Sequence, residues 1–335
     1  MLDIKHVILL FSCNIAVAVS CCEPQVTFES VPHQTVCSIP DSIGIDFPYC
    51  MEVLDETHFA LSTFDKVLLF TTDGTCMGTI GNSGRAAGEY SFPLKVRRGA
   101  PGELFVWSAN TMRFLRYTLE GRFINAYPYE SALSDFMVKD NLLYIYTAGN
   151  RGNCIIDIYD INDNSIIGKD DKCSEYHKLL TTTVSSSPIC LIDGQVYYSP
   201  KDKLEIRNLV NGNTERRLNS SSFHLNRKVK PDAIRSDRTE KQKFMSTTSY
   251  ICGLLPQNDE FLVLSYEGTS TIIDNHLDNG GRFITLYSTS GTPRHFKAED
   301  FGYISSISTF EGQFYYLNHV IDGTEDIYTL NRLVL

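Results

Sequence analysis

The residue types that most often perform chemistry are present in this chain, but their spacing matches no recognisable reaction. The sequence contains no G-x-S-x-G nucleophile elbow, P-loop, HExxH helix or dinucleotide-binding glycine pattern. Its eight histidines are scattered, without partners at metal-ligand spacing. Asp300 and Asp322 are candidate carboxylates for glycoside chemistry, although nothing in the sequence brings them together. The sequence therefore predicts no catalytic residue, no metal ligand and no cofactor.

A short acidic run between Asp160 and Asn164 superficially resembles a calcium-binding loop. It lacks the central glycine and the distal bidentate glutamate of an EF-hand. Asn and Asp at these positions are equally typical of a hairpin turn, which needs no metal. We interpret the run as a turn.

The cysteines show no metal-binding or redox spacing. No CxxC pair occurs among the ten, and no Cys/His cluster has zinc-finger intervals. If the chain is exported, disulfides are permitted, and Cys154 with Cys173 is a plausible pair. We expect most of the others to be small core residues.

The charge balance limits the classes of partner. The formal net charge is −10, from 30 Lys and Arg against 40 Asp and Glu. General nucleic-acid binding needs a basic face that displaces counterions, and attachment to anionic lipid needs a basic surface. We expect no nucleic-acid partner, and membrane association only through a covalent anchor.

The elements that must position any site are clearest in residues 81–127. A glycine-rich loop there leads into four short runs rich in β-branched and aromatic residues, with Gly, Asn or Asp between them, at 93–96, 103–107, 113–117 and 122–127. This alternation is typical of successive antiparallel strands joined by tight turns. The stretch predicts one complete four-stranded unit.

Weaker copies of this unit recur along the chain. The second strand is the most regular part, and it is found six times at intervals of roughly 40 to 66 residues, the spacing expected of propeller blades. Its equivalent central positions are Phe59, Phe105, Ile145, Tyr197, Val263 and Tyr315. The repeats predict an all-β fold, a six-bladed β-propeller of four-stranded antiparallel blades over residues 49–335. Because the ring must close, we expect a segment within 21–48 to supply or pair with an outer strand of the last blade.

The longest interval contains a polar insertion at about 219–248. Between residues 227 and 243 the sequence has seven Lys or Arg and three Asp or Glu, a local basic excess on an acidic protein. One interpretation is a solvated loop or short helix over a blade. The other is a lid or a docking arm for an anionic partner.

Residues 1–20 have the features of an export signal. Lys5 and His6 precede an apolar run over residues 7–19, which is too short to span a bilayer. The run ends in Ala-Val-Ser before Cys21, which resembles the acylation site of a bacterial lipoprotein. Cys13 is the alternative acylated residue, and an ordinary cleaved signal is the alternative to lipidation. We expect a cell-envelope protein, lipid-anchored or otherwise secreted.

The glycine-rich run from Gly81 to Tyr90, followed by Pro93 and a strand ending at Trp107, resembles a known family. It is similar to the six-bladed β-propeller lipoproteins of Bacteroidetes, which are related to NHL-type repeats. Ala86 and Ala87 stand where a Gly-Pro is common in that family. The resemblance implies a propeller tethered at the cell envelope.

The same run supplies the candidate ligand-contacting residues, Arg85, Glu89 and Tyr90. Arg85 and Glu89 could pair across a tight turn, with Tyr90 packed beneath it. Alternatively, Arg85 or Tyr90 could contact a ligand, since loops between blades often line one face of a propeller.

Three functions remain open from the sequence. The first is a non-catalytic envelope binding module for a glycan, a peptide or a protein partner. The second is a hydrolase or lyase with a site in the central channel, which requires His, Asp or Glu to converge from three or more blades. The third is a scaffold subunit of an envelope complex.

Overall fold

β-Strands dominate the computed structural model of the chain. It describes residues 28–30, 33–40, 43–45, 48–149, 152–183, 188–192, 194–209, 214–217, 223, 225–257, 260–267, 283–288, 294–297, 303–322 and 325–334. The first two described strands are β1 (Phe28–Glu29) and β2 (His33–Ile39). Six sheets follow, which we call blades and number in chain order.

The first three blades are built from strands that follow one another in the chain. Blade 1 contains β3–β6, at Cys50–Val53, His58–Ser62, Val67–Thr71 and Cys76–Thr79. A two-stranded parallel pair follows it, β7 (Asn82–Ser83) and β8 (Glu89–Tyr90). Blade 2 contains β9–β12, at Pro93–Arg98, Glu103–Ser108, Arg113–Thr118 and Phe123–Pro128. Blade 3 contains β13–β16, at Asp135–Lys139, Leu142–Tyr146, Cys154–Asp160 and Ser165–Lys172.

The last three blades repeat this arrangement. Blade 4 contains β17–β20, at Ile189–Ile192, Gln195–Tyr198, Glu205–Asn208 and Thr214–Arg217. Blade 5 contains β21–β24, at Tyr250–Gln257, Glu260–Glu267, Phe283–Ser288 and Arg294–Lys297. Blade 6 contains β25–β27, at Tyr303–Phe310, Gln313–Asp322 and Glu325–Leu333. Each of the six predicted second strands is the second strand of its blade, so the predicted six-bladed propeller is confirmed.

The ring closes through β2. This strand pairs antiparallel with β27, from His33 opposite Leu333 to Ile39 opposite Tyr328, and so completes blade 6 as its outermost strand. It lies within the segment that the sequence assigned to ring closure. β1 pairs in parallel with β24 at the outer edge of blade 5. The first strands of neighbouring blades contact each other around the axis, β3 with β25 and β9, and β13 with β9 and β17.

Six buried apolar clusters hold the ring together, one between each pair of neighbouring blades. Between blades 2 and 3, for example, the rings of Phe114 and Phe136 meet edge to face at 4.9 Å, beside Trp107. Burying one such side chain stabilises the fold by roughly 1.5–3 kcal/mol. Each blade thus presents apolar residues on both faces, which is why the chain can grow beyond a single compact core.

Within the described ranges, three α-helices interrupt the strands, α1 (Glu175–Thr183), α2 (Pro231–Ser236) and α3 (Arg238–Thr247), and a 3-10 helix lies at Ala109–Thr111. Pro231 opens α2, and the Asp237 carboxylate caps α3 by accepting hydrogen bonds from the backbone N–H groups of Thr239 and Glu240. Among the described residues, no helix has the length and apolar character needed to cross a bilayer.

The strand order gives the propeller two distinct faces. Turns between the first and second strands and between the third and fourth strands of a blade lie on one side, which we call the hairpin face. Turns between second and third strands, and the links from one blade to the next, lie on the opposite side, the connection face. α1 links blades 3 and 4 and α2–α3 link blades 4 and 5, so all three helices lie on the connection face.

The predicted disulfide between Cys154 and Cys173 is wrong. Cys154 pairs with Lys172 across the β15–β16 ladder, and the Cys173 N–H donates to the Asn153 carbonyl at 2.6 Å. The two cysteines are therefore diagonal neighbours whose side chains point to opposite sides of the sheet. The Cys154 Sγ lies 3.5 Å from the Gly152 carbonyl oxygen, and the Cys173 Sγ lies 3.6 Å from that of Ala148.

The acidic run at 160–164 forms the hairpin between β15 and β16, as interpreted from the sequence. The Asp160 carboxylate accepts a hydrogen bond from the Asn162 N–H at 2.8 Å, and Asn164 takes the left-handed conformation with φ of 50°. Such local bonds are those of an Asx turn.

Candidate functional site

Charged side chains gather at the axis of the propeller, on the first strands of blades 1, 2 and 3. Glu52 lies on β3, Lys95 and Arg97 lie on β9, and Asp135 begins β13. All four are buried. Because side chains alternate along a strand, Lys95 and Arg97 project from the same side of β9.

Arg97 links the carboxylates of the two neighbouring blades. Its Nη1 lies 3.2 Å from Glu52 Oε2, and its Nη2 lies 2.5 Å from Asp135 Oδ2. Nη1 also donates to the Val96 carbonyl oxygen at 2.8 Å and lies 3.0 Å from the Cys50 Sγ. The guanidinium is planar and has five donors, so this one side chain binds acceptors from blades 1, 2 and 3 in a fixed geometry.

Blade 6 contributes hydroxyl groups to the same network. Ser308 Oγ donates to Glu52 Oε2 at 3.2 Å and accepts a hydrogen bond from the Val53 N–H at 3.0 Å. Ser306 Oγ accepts one from the Met51 N–H at 2.7 Å. These serines join β25 to β3 across the boundary where the ring closes.

Burial and ion pairing act in opposite directions on these groups. Burial raises the pKa of Glu52, and the nearby Arg97 and Arg98 offset part of that effect. Burial alone would lower the pKa of Arg97, but Asp135, Cys50 and Glu52 outweigh it and hold that pKa well above its ordinary value. Arg97 is thus a permanent cation at the axis.

Another buried basic residue, Lys201, lies in the turn between β18 and β19. Its N–H donates to His177 Nδ1 at 3.2 Å, and its carbonyl accepts a hydrogen bond from the Ile251 N–H at 3.0 Å. Burial, followed by repulsion from Lys95, lowers the pKa of the Lys201 amine to about 7. Asp135 and Cys252 act in the opposite direction. The amine therefore changes charge near neutral pH.

His177 has a structural position on α1 above Lys201. Since the backbone N–H of Lys201 can only donate, His177 Nδ1 is an acceptor, and the ring proton lies on Nε2. Nε2 lies 3.2 Å from the Thr147 carbonyl oxygen, which accepts a hydrogen bond from it. The imidazole thereby ties α1 to blades 3 and 4.

The helices α1, α2 and α3 form a helical cap over the connection face at blades 3 to 6. Ile234 and Phe244 are buried with Leu180 of α1 and Tyr316 of blade 6 in a single apolar cluster. The insertion predicted at about 219–248 is therefore a packed helical pair. Its outward side is basic, with seven exposed cations at Arg227, Lys228, Lys230, Arg235, Arg238, Lys241 and Lys243.

The structure gives Arg85, Glu89 and Tyr90 three different environments. The expected Arg85–Glu89 pair is wrong. Glu89 Oε2 instead accepts a hydrogen bond from the Ala86 N–H at 2.9 Å, and Arg113 binds the carbonyl oxygens of Arg85, Ala86 and Glu89. Arg85 is exposed, whereas Tyr90 is buried between blades 1 and 2, where its hydroxyl accepts the Val67 N–H at 3.1 Å. A ligand contact by Arg85 stays a prediction.

The loop requires glycine at position 88 for two reasons. It has a φ of +77°, and a Cβ atom there would lie 2.7 Å from the Phe123 ring. A larger residue would be strained by its backbone and would also collide with blade 2.

Other candidate residues do not join the axis. Asp300, Cys21 and Cys13 lie outside the described residues, and Asp322 ends β26, opposite Glu325 of β27. Within the described part of the chain, no group of three or more His, Cys, Asp or Glu side chains is arranged to hold a metal ion.

A shallow cavity of about 340 Å³ lies between blades 1 and 2, away from the axis. Asp55 and His58 line its polar side, with Oδ1 and Nδ1 3.0 Å apart, and Leu69, Met77 and Leu119 line its apolar side. The cavity borders β6, so it faces the rim of the propeller.

Sequence reasoning missed the axial charges. Glu52, Arg97 and Asp135 are about 40 residues apart in sequence; Glu52 and Asp135 each stand beside apolar residues of a first strand, and Arg97 lies between Val96 and Arg98. The available signal was a charged residue on a predicted first strand, because a buried charge needs a partner, here on a neighbouring blade.

Comparison with known proteins agrees with this architecture. A crystal structure of a Bacteroides fragilis protein classed as exported has a TM-score of 0.62, with 11% identity over 92% of this chain and 95% of that one. A DUF4221 family member from Bacteroides vulgatus has a TM-score of 0.61, with 8% identity over 91% of this chain and 99% of that one. At these identities the likeness shows the fold alone. No curated protein sequence matches the chain.

The family assignment comes from the sequence. Residues 40–270 match the family DUF5128, described as a 6-bladed β-propeller, and this match spans more than half of the chain. The chain therefore belongs to the DUF5128 family of six-bladed β-propellers.

Proposed function

We propose that this protein is a non-catalytic binding module of the cell envelope, whose partner is a glycan, a peptide or another envelope protein. The observation that carries the proposal is the bonding of the axial carboxylates. Glu52 and Asp135 come from two blades, and Arg97 binds both. A channel enzyme would need acidic or histidine side chains from three or more blades facing a substrate.

The hydrogen bonds at the axis support the same proposal. Ser308 and the Arg98 N–H occupy oxygens of Glu52, and the Phe136 N–H donates to Asp135 Oδ1 at 2.8 Å. A general acid or base must exchange its proton with a bound ligand. Carboxylates held in this way serve the fold and the local electric field instead.

The field at the axis favours an anionic group on the partner. Lys95, Arg97 and Arg98 of β9 outnumber the two carboxylates, Glu52 and Asp135. Arg98 ends β9 at the hairpin face, where its guanidinium lies over the Phe310 ring at 5.1 Å and is partly exposed. A carboxylate or phosphate entering from the hairpin face would meet Arg98 first.

Attachment to the envelope forms the second part of the proposal. The export signal and the lipoprotein-like Ala-Val-Ser-Cys21 sequence support a lipid anchor on Cys21, with Cys13 as the alternative. The Bacteroides fragilis protein of the same fold is classed as exported, in agreement with this placement. Replacing Cys21 with Ala should abolish both acylation, measured by mass spectrometry, and membrane partitioning. A Cys21→Ala variant that still carries acyl mass would contradict the assignment, and Cys13→Ala is the matched control.

A thermal-shift screen of the full chain tests the binding function. The panel contains host and plant oligosaccharides, peptidoglycan fragments, peptides, and Ca²⁺ or Zn²⁺ with an EDTA control. A ligand at a hundred times its Kd should stabilise the fold by about 2.7 kcal/mol. The account expects at least one ligand class to raise Tm and to be recovered with unchanged mass. A ligand that is turned over would contradict the non-catalytic assignment, and no shift with any ligand would favour a scaffold.

A further inference from the structure

Three aromatic side chains lie in contact on the connection face beside the axis. The Tyr49 and Phe92 rings meet edge to face at 5.0 Å, and the Phe92 and Phe64 rings meet at 5.5 Å with a 42° tilt. We call Tyr49, Phe92 and Phe64 the aromatic strip. Tyr49 directly precedes β3 and Phe92 directly precedes β9, so the strip runs outward from the inner strands of blades 1 and 2.

Phe64 is exposed, and Tyr49 and Phe92 beside it are half-buried. Phe64 has 59% of its surface accessible, more than any other large hydrophobic residue in the described part of the chain. Single exposed hydrophobic residues are common and need no explanation, but contiguous exposed aromatic rings mark interaction surfaces. Helices cover the same face at blades 3 to 6, whereas the strip is outside the helical cap.

Phe92 holds its place at a conformational cost. Its φ is +58°, in the left-handed region that glycine or asparagine normally occupies. For a bulky residue this conformation is strained. Phe92 therefore combines a strained backbone with an apolar ring that is only half-buried. Residues with strained backbones cluster at functional sites.

The surrounding hydrogen bonds fix the backbone at Phe92. Its carbonyl accepts the Ala109 N–H at 3.0 Å, and the neighbouring Ser91 N–H donates to Ser108 Oγ at 2.8 Å. Ser108 Oγ donates back to the Ser91 carbonyl at 3.1 Å. Phe64 is equally constrained, because it lies in the tight turn closed by the Thr63 N–H and the Lys66 carbonyl at 2.8 Å. Hydrogen bonds within the protein therefore fix the backbone that carries the Phe64 and Phe92 rings.

We infer that the aromatic strip binds a saccharide, with a sugar ring stacked on Phe64. A pyranose has an apolar face of C–H groups, which fits the electron-rich face of an aromatic ring, and a rim of hydroxyls. Polar side chains flank the strip in the matching positions. Asp65 and Lys66 follow Phe64 in its turn, and the Asn110 amide lies at the Phe92 end, 3.2 Å from Ser91 Oγ. The inference rests on the proposed binding function and names the glycan as its ligand.

Other ligand chemistries fit the strip less well. An aromatic cage for a quaternary ammonium needs rings that stand apart around the cation. Here the rings touch each other, so no space for a cation remains between them. A peptide helix or strand would need an apolar groove or a free sheet edge, whereas Phe64 lies at the tip of a turn with charged neighbours.

The test is binding of soluble oligosaccharides of glucose, xylose, mannose and galactose to the full chain, by calorimetry and saturation-transfer NMR. Phe64→Ala should weaken binding of the sugar about tenfold or more, equivalent to about 1.4 kcal/mol, because the stacked ring is lost. Phe64→Tyr should retain binding. Phe92→Gly should lose binding while keeping Tm within a few degrees, because glycine relieves the strained backbone. Ile167→Ala removes a similarly exposed apolar residue, 56% accessible on β16, and should change nothing.

Two results would overturn the inference. One is a sugar whose affinity is the same in Phe64→Ala, Phe92→Gly and the unchanged protein. The other is no saccharide binding at all, including the case in which a peptide binds through Phe64. In either case a ligand found by the thermal-shift screen would leave the broader binding function intact, whereas a protein that binds no ligand of any class would lose both.

Discussion

The connection face differs between blades 1 and 2 and blades 3 to 6 in how the chain passes from one blade to the next. At blades 1 and 2 the links are short, glycine-rich and without helices, and they present the aromatic strip to solvent. At blades 3 to 6 the links fold into the helical cap, whose apolar side is buried on the blades and whose outward side is basic. The strands of the blades therefore form the ring, and the links between blades determine which part of the connection face is accessible to solvent.

The cap also changes the chemistry beneath it. Lys201 is fully buried under His177 and α1, and its amine has a pKa of about 7. On the open side, by contrast, Phe64, Lys66 and Arg85 are exposed to solvent. We therefore expect stability and pH dependence to map to the axis and the cap, and saccharide binding to map to the strip.

The largest expected effect is at the axis. Arg97→Met leaves the carboxylates of Glu52 and Asp135 buried without their cation, and breaking a buried ion pair typically costs about 3–5 kcal/mol. Urea unfolding measures this change. Arg116→Met is the matched control, because Arg116 binds Glu103 at 2.7 Å in a more exposed pair and should cost about 1 kcal/mol or less. Equal losses in the two variants would contradict the central role of Arg97.

The next prediction compares one aromatic residue from each side. Phe244→Ala removes a buried ring from the helical cap and should cost about 3 kcal/mol. Phe64→Ala removes an exposed ring and should change the free energy of unfolding by less than about 0.5 kcal/mol. Chemical denaturation of both variants gives the comparison. A large loss in Phe64→Ala would mean that the strip stabilises the fold, and its exposure would no longer require a ligand.

Lys201 gives a smaller effect that depends on pH. Its amine has a pKa of about 7 in the folded protein, against 10.5 for the ordinary group. Between these values the unfolded chain binds more protons, so stability should rise with pH. From pH 7 to pH 8.5 the gain should be about 2 kcal/mol. Unfolding of the unchanged protein and of Lys201→Met across this range tests the prediction, since Met removes the titrating group and should flatten the profile.

The smallest expected effect concerns the basic outward side of the cap. If that surface docks an anionic partner, replacing Lys228, Arg238 and Lys241 with Gln should weaken the interaction and its salt dependence while leaving Tm almost unchanged. Charge removal is a better test than deletion of the insertion, because Ile234 and Phe244 are part of the core. Capture of envelope proteins by the unchanged chain and by this variant gives the measurement. Identical capture would identify the surface as a solvated face.

Much of the fold was predictable because its signals are local. A strand such as Glu103–Ser108, bounded by a glycine turn and a polar turn, carries its pattern within six residues, and six copies indicate a ring. The position of β2 followed from the requirement that the ring close. The site was not predictable in the same way, because Arg97 meets partners 45 and 38 residues away that only the closed ring brings together.

The wrong predictions share one physical cause. Cys154 and Cys173 are close in space but project from opposite sides of β15 and β16, and Glu89 bonds to its own loop backbone instead of to Arg85. Side-chain direction and competition from backbone donors are invisible in residue spacing. The strip was missed for a related reason, since Phe64 and Phe92 lie in separate turns of different blades.

Hydrogen–deuterium exchange of the full chain, with and without the oligosaccharide that binds it, tests the contrast between the two sides most directly. The account predicts slower exchange of backbone amides at residues 63–66 and 91–92, around the aromatic strip, and no change in α2 and α3. Protection of the helices with none at the strip would contradict it, and the bound face would then be the helical cap.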